Sequence, residues 1–299
     1  MNKVQVATHD GIFHADEVYA LAVLSLYFEK EGKEIEVTRT RDLDLIAKSH
    51  IVVDVGGEYS RAKKRFDHHQ KQKPANRPNG IPYAAFGLIW KTYGKKITSN
   101  KEVWEIVEKK LVMGIDALDN GLYIATPIYK GVHEYASAQL FSAIGMAYPE
   151  DKIDEAFSKT LEFAKLILQG EINKTEAKIQ GEKIITAEII KQGEPSVLVL
   201  DKYATWSVAV SKFKNIKLVV FPDKFSSKWC IQAASDKVDE FDGDRINFPK
   251  SWRGLLNADL ALASGIIDSA FCHGSGHFAV VSSKNGAIEM ANKVIATNP

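Results

Sequence analysis

The fold is decided by residues 4–57, which read VQVATHDGIFHADEVYALAVLSLYFEKEGKEIEVTRTRDLDLIAKSHIVVDVGG. Residues 4–8 alternate in polarity as a strand does, and residues 14–30 carry apolar side chains at helical spacing. A second strand at residues 35–38, a short helix at 43–47 and a buried third strand at 51–55 follow. This order of elements predicts an α/β fold with a parallel sheet covered by helices.

Four groups of histidines and aspartates occur in the first 121 residues, beside or after these predicted elements. They are His9 with His14 and Asp16, then Asp54, then Asp67-His68-His69, and finally Asp116 with Asp119. The chain has only eight histidines, so four of them in such groups is an uneven distribution. Ligand sites of parallel sheets gather beyond the carboxyl ends of the strands. We therefore expect these groups to lie together.

The mixture of imidazole and carboxylate groups is what a pair of hard-to-borderline divalent ions prefers. Two such ions lie roughly 3.5–4 Å apart and hold the attacking and leaving oxygens of a phosphoryl displacement. Asp54 would bridge the ions, and either Asp116 or Asp119 would close the site. The candidate metal ligands are His9, His14, Asp16, Asp54, His68, Asp116 and Asp119. The pattern predicts a metal-dependent hydrolase with Asp54 at its catalytic centre.

His68 and His69 are adjacent, so their side chains need not point to the same place. We assign His68 to a metal ion and His69 to the phosphate of the substrate, with Asp67 orienting an imidazole from behind. Asp54, His69 and Asp67 are thus the predicted catalytic residues. The alternative is that Asp67 pairs with Arg65 and that one histidine is merely exposed.

The remainder of the chain predicts two domains. Residues 1–152 would form the metal-binding domain, with a polar loop at 71–82 and helices near 83–93, 102–119 and 134–147. Residues 153–180 have an apolar face at helical spacing and would form a connecting helix. Residues 181–299 would form a smaller, mixed α/β domain with strands at 183–187, 197–200, 217–221 and 228–233.

Composition narrows the class of protein. The net charge of +1 argues against wrapping of long duplexes by bulk electrostatics, although Lys71, Lys73 and Arg77 in the polar loop could guide a polyanion. A solvated charged loop is the commoner explanation of those three residues. Two cysteines cannot build a disulfide framework. With no signal peptide or membrane span in the sequence, we expect a soluble, cytoplasmic protein without a membrane partner.

The motifs resemble those of a known family. The FDHHQ stretch at residues 66–70, with the upstream His/Asp turn and Asp54, resembles the DHH phosphoesterase superfamily. THDGIFHADE at 8–17, DVGGEY at 54–59 and DALDNG at 116–121 are similar, more closely, to its melanocyte-proliferating-gene branch. The superfamily's first motif is His-x3-Asp-x-Asp, whereas this chain has His9-x4-His14-x-Asp16. The extra nitrogen ligand favours manganese or another transition ion over magnesium.

The resemblance also implies a DHH-type N-terminal domain and a C-terminal domain that binds substrate. PKSWRGL at residues 249–255 and FCHGSGHF at 271–278 are similar to the branch's carboxy-terminal motifs. Arg253 offers a planar fork for phosphate, and His273, Gly274 and Gly276 would place an imidazole and backbone amides near phosphate oxygens. The alternative is that Trp252 belongs to the core and that the glycines form a turn.

The resemblance implies a 3′-5′ exonuclease that uses two Mn²⁺ ions and acts on RNA or short oligonucleotides. A second hypothesis is a small-molecule phosphatase or pyrophosphatase, which would need a closed pocket. A third is a metal-stabilised binding module without turnover, against which the full set of ligands argues. The sequence leaves homo-oligomer formation open.

Overall fold

The structure is a computed structural model, and it describes residues 3–237 and 243–297. It is a mixed α/β structure with two five-stranded sheets. The chain divides into two compact units, Met1–Glu176 and Ala177–Pro299.

The first unit contains a sheet with strand order β2-β1-β3-β5-β4. Its strands are β1 (Lys3–Thr8), β2 (Glu34–Arg39), β3 (Ile51–Val53), β4 (Tyr59–Ser60) and β5 (Arg65–Phe66). The pairs β1-β2, β1-β3 and β3-β5 are parallel, and only β4 is antiparallel to its neighbour. The predicted parallel sheet is thus present. It has two further strands, β4 and β5, which are too short to show an alternation of polarity in the sequence.

Helix α1 (Ala15–Lys30) is the central helix of the first unit. Its side chains are buried from Ala15 to Leu26 on every face, because helices cover it on the side away from the sheet. The Tyr19 ring stacks on Phe86 and Phe141, at centroid distances of 5.2 Å in both cases. Such packing fixes the start of α1, from which several polar side chains of the site project.

The other helices of this unit follow the predicted order. They are α2 (Leu43–Lys48), α3 (Ala85–Ile89), α4 (Lys95–Ile97), α5 (Lys101–Val107), α6 (Met113–Asp119) and α7 (Ser137–Met146). Two π-helical segments, Trp90–Gly94 and Glu108–Val112, join α3 to α4 and α5 to α6. The predicted single helix over 102–119 therefore exists, but with a π segment in its middle, a feature that often accompanies functional sites.

Helix α8 (Ile153–Lys191) corrects one prediction. The predicted strand at 183–187 is wrong, because these residues continue the helix: Ile185 and Ile189 are buried at helical spacing. Gly181 lies inside the helix. Because it has no side chain, the helix can approach the Thr205 carbonyl, whose oxygen a Cβ at this position would meet at 2.3 Å. The division between the two units falls inside this helix, between Glu176 and Ala177.

The second unit has a sheet with strand order β6-β7-β8-β10-β9. Its elements are β6 (Val197–Val199), α9 (Ser207–Ser211), β7 (Leu218–Pro222), β8 (Trp229–Ala233), α10 (Asn257–Ser264), β9 (Ser269–Cys272), β10 (Phe278–Val281) and α11 (Lys284–Thr297). Only β6 and β7 pair in parallel. The mixed α/β character predicted for this part of the chain agrees with the structure. Among the residues that the structure describes, no helix has the length and apolarity to cross a membrane.

Candidate metal centre

Three neighbouring strands of the first sheet end in polar side chains. His9 follows β1, Asp54 follows β3, and Asp67, His68 and His69 follow β5. Because the sheet places β1, β3 and β5 side by side and in parallel, these ends meet at one edge. The sheet therefore brings together residues that are up to 60 positions apart in sequence, from His9 to His69.

The turn between β1 and α1 adds a second wall. His14 precedes the helix, and its backbone N–H donates to Glu17 Oε1 at 2.7 Å. The same oxygen lies 3.3 Å from His9 Nε2. Asp16 and Glu17 are both fully buried in the first turn of α1, where the helix dipole favours negative charge.

Asp54 lies at the centre of the group. Its Oδ2 is 3.5 Å from His9 Nε2, and its Oδ1 is 3.3 Å from His68 Nε2 and 3.4 Å from His69 Nδ1. Asp54 has a φ of +57°, a left-handed conformation that is uncommon outside glycine but tolerated by Asp and Asn. Such strain is found where a side chain must be directed to a functional position.

The two adjacent histidines have different surroundings. His68 is buried, and its Nε2 lies 3.1 Å from Asp119 Oδ2. The side chain of His69 is 63% exposed, and its Nδ1 lies 2.9 Å from Asp67 Oδ1. Asp67 also accepts the backbone N–H groups of His69 at 3.0 Å and of Gly57 at 2.6 Å. The alternative pairing of Asp67 with Arg65 is not formed, since the Arg65 guanidinium donates to backbone carbonyls.

The two aspartates of α6 point to different partners. Asp119 lies beside His68 and belongs with His14 and Asp16 to a group whose ligand atoms are within 4.8 Å of one another. Asp116 is buried on Arg77, with 2.7 Å between Arg77 Nη2 and Asp116 Oδ2, and accepts the N–H of Gly87 at 3.0 Å. The structure therefore brings Asp119 into the cluster and ties Asp116 to the neighbouring helix.

The electrostatics of the cluster suit a cation. Both carboxylate oxygens of Asp16, one of Glu17 and one of Asp54 are buried without a hydrogen-bond donor among the described residues. Burial, with the nearby carboxylates, raises the pKa of Asp16 well above its usual value. Burial likewise raises the pKa of Asp54, against the opposing effect of His68. Divalent ions at these oxygens would supply positive charge beyond that of the neighbouring imidazoles.

The pKa values of two histidines also reflect the negative charge of the nearby carboxylates. Burial lowers the pKa of His68, but the neighbouring carboxylates of Asp119 and Asp54 outweigh it and raise the value to about 10. Burial also opposes protonation of His9, yet Glu17 and Asp54 raise its pKa. Four overlapping groups of three residues have ligand atoms within 4.8 Å of one another, and each could hold a metal ion. They are His9-His14-Glu17, Asp54-His68-His69, His14-Asp16-Asp119 and Asp16-Glu17-Asp54.

A comparison with known protein families shows to which family this chain belongs. The sequence profile of the MYG1_exonuc family, described as uncharacterised protein family UPF0160, matches residues 5–295. The chain belongs to this family. The predicted resemblance to the melanocyte-proliferating-gene branch is thereby confirmed at the level of the family.

Individual members of this family align with nearly all of this chain. The MYG1 protein of Dictyostelium discoideum is 29% identical over 330 residues, covering 100% of this chain and 98% of the relative. The MYG1 exonuclease of Mus musculus is 27% identical, covering 99% of this chain and 86% of the relative. The MYG1 exonuclease of Homo sapiens is 27% identical, covering 98% of this chain and 86% of the relative.

The carboxy-terminal motifs of this family member lie in the second unit. Arg253 Nε donates to the Phe248 carbonyl at 3.0 Å, and a Cβ at Gly276 would meet this nitrogen at 2.5 Å. Gly276, at φ +81°, thus gives the guanidinium room. His273 is exposed, and its Nδ1 lies 2.8 Å from Ser275 Oγ. Gly274 is exposed in the same β9–β10 turn, while Trp252 is buried in the core of the unit.

Sequence reasoning missed Glu17 and misjudged Arg77. Glu17 is an acidic residue three positions after the helix-capping His14, a capping-box spacing that could have identified it as a residue facing His14. Arg77 is neither a solvated residue nor a guide for polyanions. It is buried, its Nε lies 2.6 Å from Glu108 Oε1, and its guanidinium lies over the ring of Tyr83 at 4.0 Å.

Proposed function

We propose that this protein is a divalent-metal-dependent phosphodiester hydrolase of the DHH type, an exonuclease that shortens RNA or short oligonucleotides from the 3′ end. Two observations support the hydrolase class. Relatives from mouse and human that align along the whole chain carry the name exonuclease. The first unit contains a buried cluster of carboxylates and imidazoles that could hold metal ions.

The observation that carries the proposal is the set of buried carboxylates around Asp54. Three acids, Asp16, Glu17 and Asp54, have ligand atoms within 4.8 Å of one another, and they retain oxygens without donors among the described residues. Folding alone would not favour such a concentration of negative charge. Two divalent ions would lower the pKa of a bound water and neutralise charge on the phosphate. The histidines among the ligands favour manganese.

The residues of the chain then divide the work. Asp54 reaches both His9 and His68, which suits a bridging ligand. His68, His9, His14, Asp16 and Asp119 would complete the coordination, and Glu17 would add a ligand that the motifs do not indicate. The exposed His69 is held by Asp67 with its ring at the mouth of the cluster, where it would donate to a phosphate oxygen. Hydrogen bonds from His69 and Gly57 outweigh the burial of Asp67 and lower its pKa to about 2, so the orienting carboxylate stays ionised.

The second unit would supply substrate contacts. Arg253 retains guanidinium N–H groups beyond the one bound to Phe248, and these would form a fork for phosphate. His273 and Gly274 would add an imidazole and a backbone amide. The Gly276 N–H instead donates to the His273 carbonyl at 2.9 Å, so Gly276 would contribute by giving the Arg253 side chain room. In this proposal the partner is RNA or a short oligonucleotide, and the protein works in the cytoplasm.

The proposal is tested with oligoribonucleotides that carry a label at the 5′ or the 3′ end. With Mn²⁺, a 5′-labelled strand should give a ladder of products shortened one nucleotide at a time, and a 3′-labelled strand should release labelled mononucleotide first. If the 5′-labelled strand releases labelled mononucleotide first, the enzyme degrades from the 5′ end. Hydrolysis of pyrophosphate or mononucleotides alone would favour the small-molecule phosphatase. If none of these compounds is hydrolysed in the presence of metal, the proposal that the protein is a hydrolase is refuted.

A further inference from the structure

An exposed apolar segment follows the metal centre directly in sequence. Residues 121–136 join α6 to α7 and have no regular secondary structure. The side chains of Tyr123 and Tyr135 in this segment are 92% and 67% exposed. Further exposed apolar side chains of the segment are Leu122, Ile124, Ile128, Tyr129 and Val132. Soluble proteins seldom expose so many neighbouring apolar side chains unless the surface binds something.

The start of this segment is held in a defined place relative to Asp119. The Asn120 side chain donates to the Asp116 carbonyl at 2.9 Å, and the Leu122 N–H donates to the Ala117 carbonyl at 2.8 Å. Gly121 has a φ of +75°, which completes the left-handed end of α6. The chain therefore leaves the metal centre in a fixed direction.

The segment lines a cavity that adjoins the metal centre. The cavity around His9, Asp54 and Asp119 has a volume of about 540 Å³, and the neighbouring one has about 1060 Å³. Ile115, Leu118 and Ala138 belong to the walls of both cavities. A molecule with its phosphoester at the metal centre would thus reach the second cavity without leaving the surface.

The two cavities differ in chemistry. The first holds the carboxylates and imidazoles, with the side chain of Arg41 on its wall. The residues that line the second include Tyr123 and Tyr135 and the apolar Leu111, Leu122 and Ile124. A ligand that matches both has an anionic phosphodiester next to a flat, largely apolar group, and a nucleotide within a single strand has this composition. Every base has a π face that can stack on a tyrosine ring.

We propose that this second cavity binds a nucleobase of a single-stranded nucleic acid by stacking on Tyr123 and Tyr135, beside the phosphodiester that lies at the metal centre. The proposal rests on the proposed phosphodiesterase function and names the part of the substrate that the site recognises. A second copy of the chain would also cover apolar side chains, but it would not account for the walls shared with the metal centre. The stacking is tolerant of base identity, so sequence preference should be weak.

The test measures binding without turnover. Fluorescence anisotropy gives the Kd of the full chain, in EDTA, for a labelled oligoribonucleotide and for the abasic strand of equal length. The wild-type protein should bind the base-containing strand at least about fivefold more tightly, because one stacked base contributes roughly five- to hundredfold in affinity. Combined Tyr123→Ala and Tyr135→Ala substitutions should bring the two Kd values together, whereas Tyr123→Phe with Tyr135→Phe should restore the difference.

Tyr129→Ala is the matched control, because Tyr129 is an exposed tyrosine of the same segment that does not line the cavity. It should keep the wild-type ratio of the two Kd values. The proposal is overturned if the double alanine variant keeps that ratio, or if the wild type binds abasic and base-containing strands alike. It is also overturned if light scattering shows a wild-type dimer that the double variant dissociates. A separate assay of manganese-dependent hydrolysis of a chromogenic phosphodiester reports on the proposed function. The base-binding proposal and the proposed function can therefore fail independently.

Discussion

At the scale of single residues, Asp54 combines a left-handed backbone conformation with a side chain at the centre of the cluster. Its left-handed φ of +57° directs the carboxylate between His9 and His68. Asparagine tolerates the same backbone conformation and has nearly the same shape, so substitution with Asn separates charge from structure.

We expect Asp54→Asn to abolish metal-dependent hydrolysis while the fold is retained, because a neutral amide cannot bridge two cations. The loss should exceed tenfold, since charge stabilisation by metal ions amounts to several kcal/mol. Turnover with Mn²⁺ and far-UV circular dichroism of both proteins check this. A variant that keeps more than a tenth of the activity would contradict the bridging role.

Asp67 gives a pH-dependent prediction. Its pKa is lowered from 3.8 to about 2 in the folded state, so its contribution to stability is present above pH 4 and is lost as the pH falls through 2. In EDTA, Asp67→Asn should lower the free energy of unfolding by about 2 kcal/mol at pH 6, and the difference from wild type should shrink below pH 4. Urea unfolding across this pH range measures it. A difference that is constant with pH would show that the charge of Asp67 is not involved.

At the scale of elements, α6 directs two aspartates to different partners. Asp116 and Asp119 are three residues apart, and a side chain at that spacing is rotated by about 60° from its partner. Asp116 therefore contacts Arg77 and Gly87, and Asp119 contacts His68. Burial raises the pKa of Asp116 to about 7, against the opposing effect of Arg77. A Cβ at Gly87 would meet Asp116 Oδ2 at 1.9 Å, so this close approach requires glycine.

The two aspartates should respond differently to alanine. Asp119→Ala should weaken Mn²⁺ binding with little change in stability. Asp116→Ala leaves the buried Arg77 without one partner, which should cost about 3–5 kcal/mol of stability, while the folded protein still binds metal. Isothermal titration with Mn²⁺ and urea unfolding separate the two effects. Equal metal affinities in both variants and the wild type would remove Asp119 from the site.

At the scale of the whole molecule, the charge of the cluster should make stability depend on metal. Asp16, Glu17 and Asp54 are buried and close to one another, and ions that bind only the folded state stabilise it by mass action. Mn²⁺ at one hundred times its Kd should contribute about 2.7 kcal/mol, which corresponds to a few degrees in the melting temperature.

Differential scanning calorimetry with EDTA and with Mn²⁺ tests this prediction. Asp236→Asn provides the control, because Asp236 pairs with Lys214 and Arg245 in the second unit. Its shift with Mn²⁺ should equal that of the wild type, whereas the shift of Asp54→Asn should be smaller. Equal shifts in all three proteins would mean that the ions bind elsewhere.

Several features of the molecule follow from the sequence alone. Alternation and helical spacing in residues 4–57 predicted the three parallel strands and α1, because both periods express which side chains face the core. The histidines and aspartates were identifiable as a group because they follow those strands. The family was identifiable because its motifs are long and specific.

Other features depended on the tertiary structure. The β5 strand has two residues and Arg77 lies in a polar loop, so neither has a local pattern, and long-range contacts alone place Arg77 on Glu108 and Asp116. The contact of Asp119 with His68 depends on residues far apart in sequence. The helix through residues 183–187 required the packing of Ile185 and Ile189. The sequence by itself determined which imidazole and carboxylate side chains follow the strands, and the order of the strands along the chain, because these depend on residue type and local period. Only the tertiary structure decided which side chains meet, because burial, charge pairing and the direction of each side chain arise from neighbours distant in sequence.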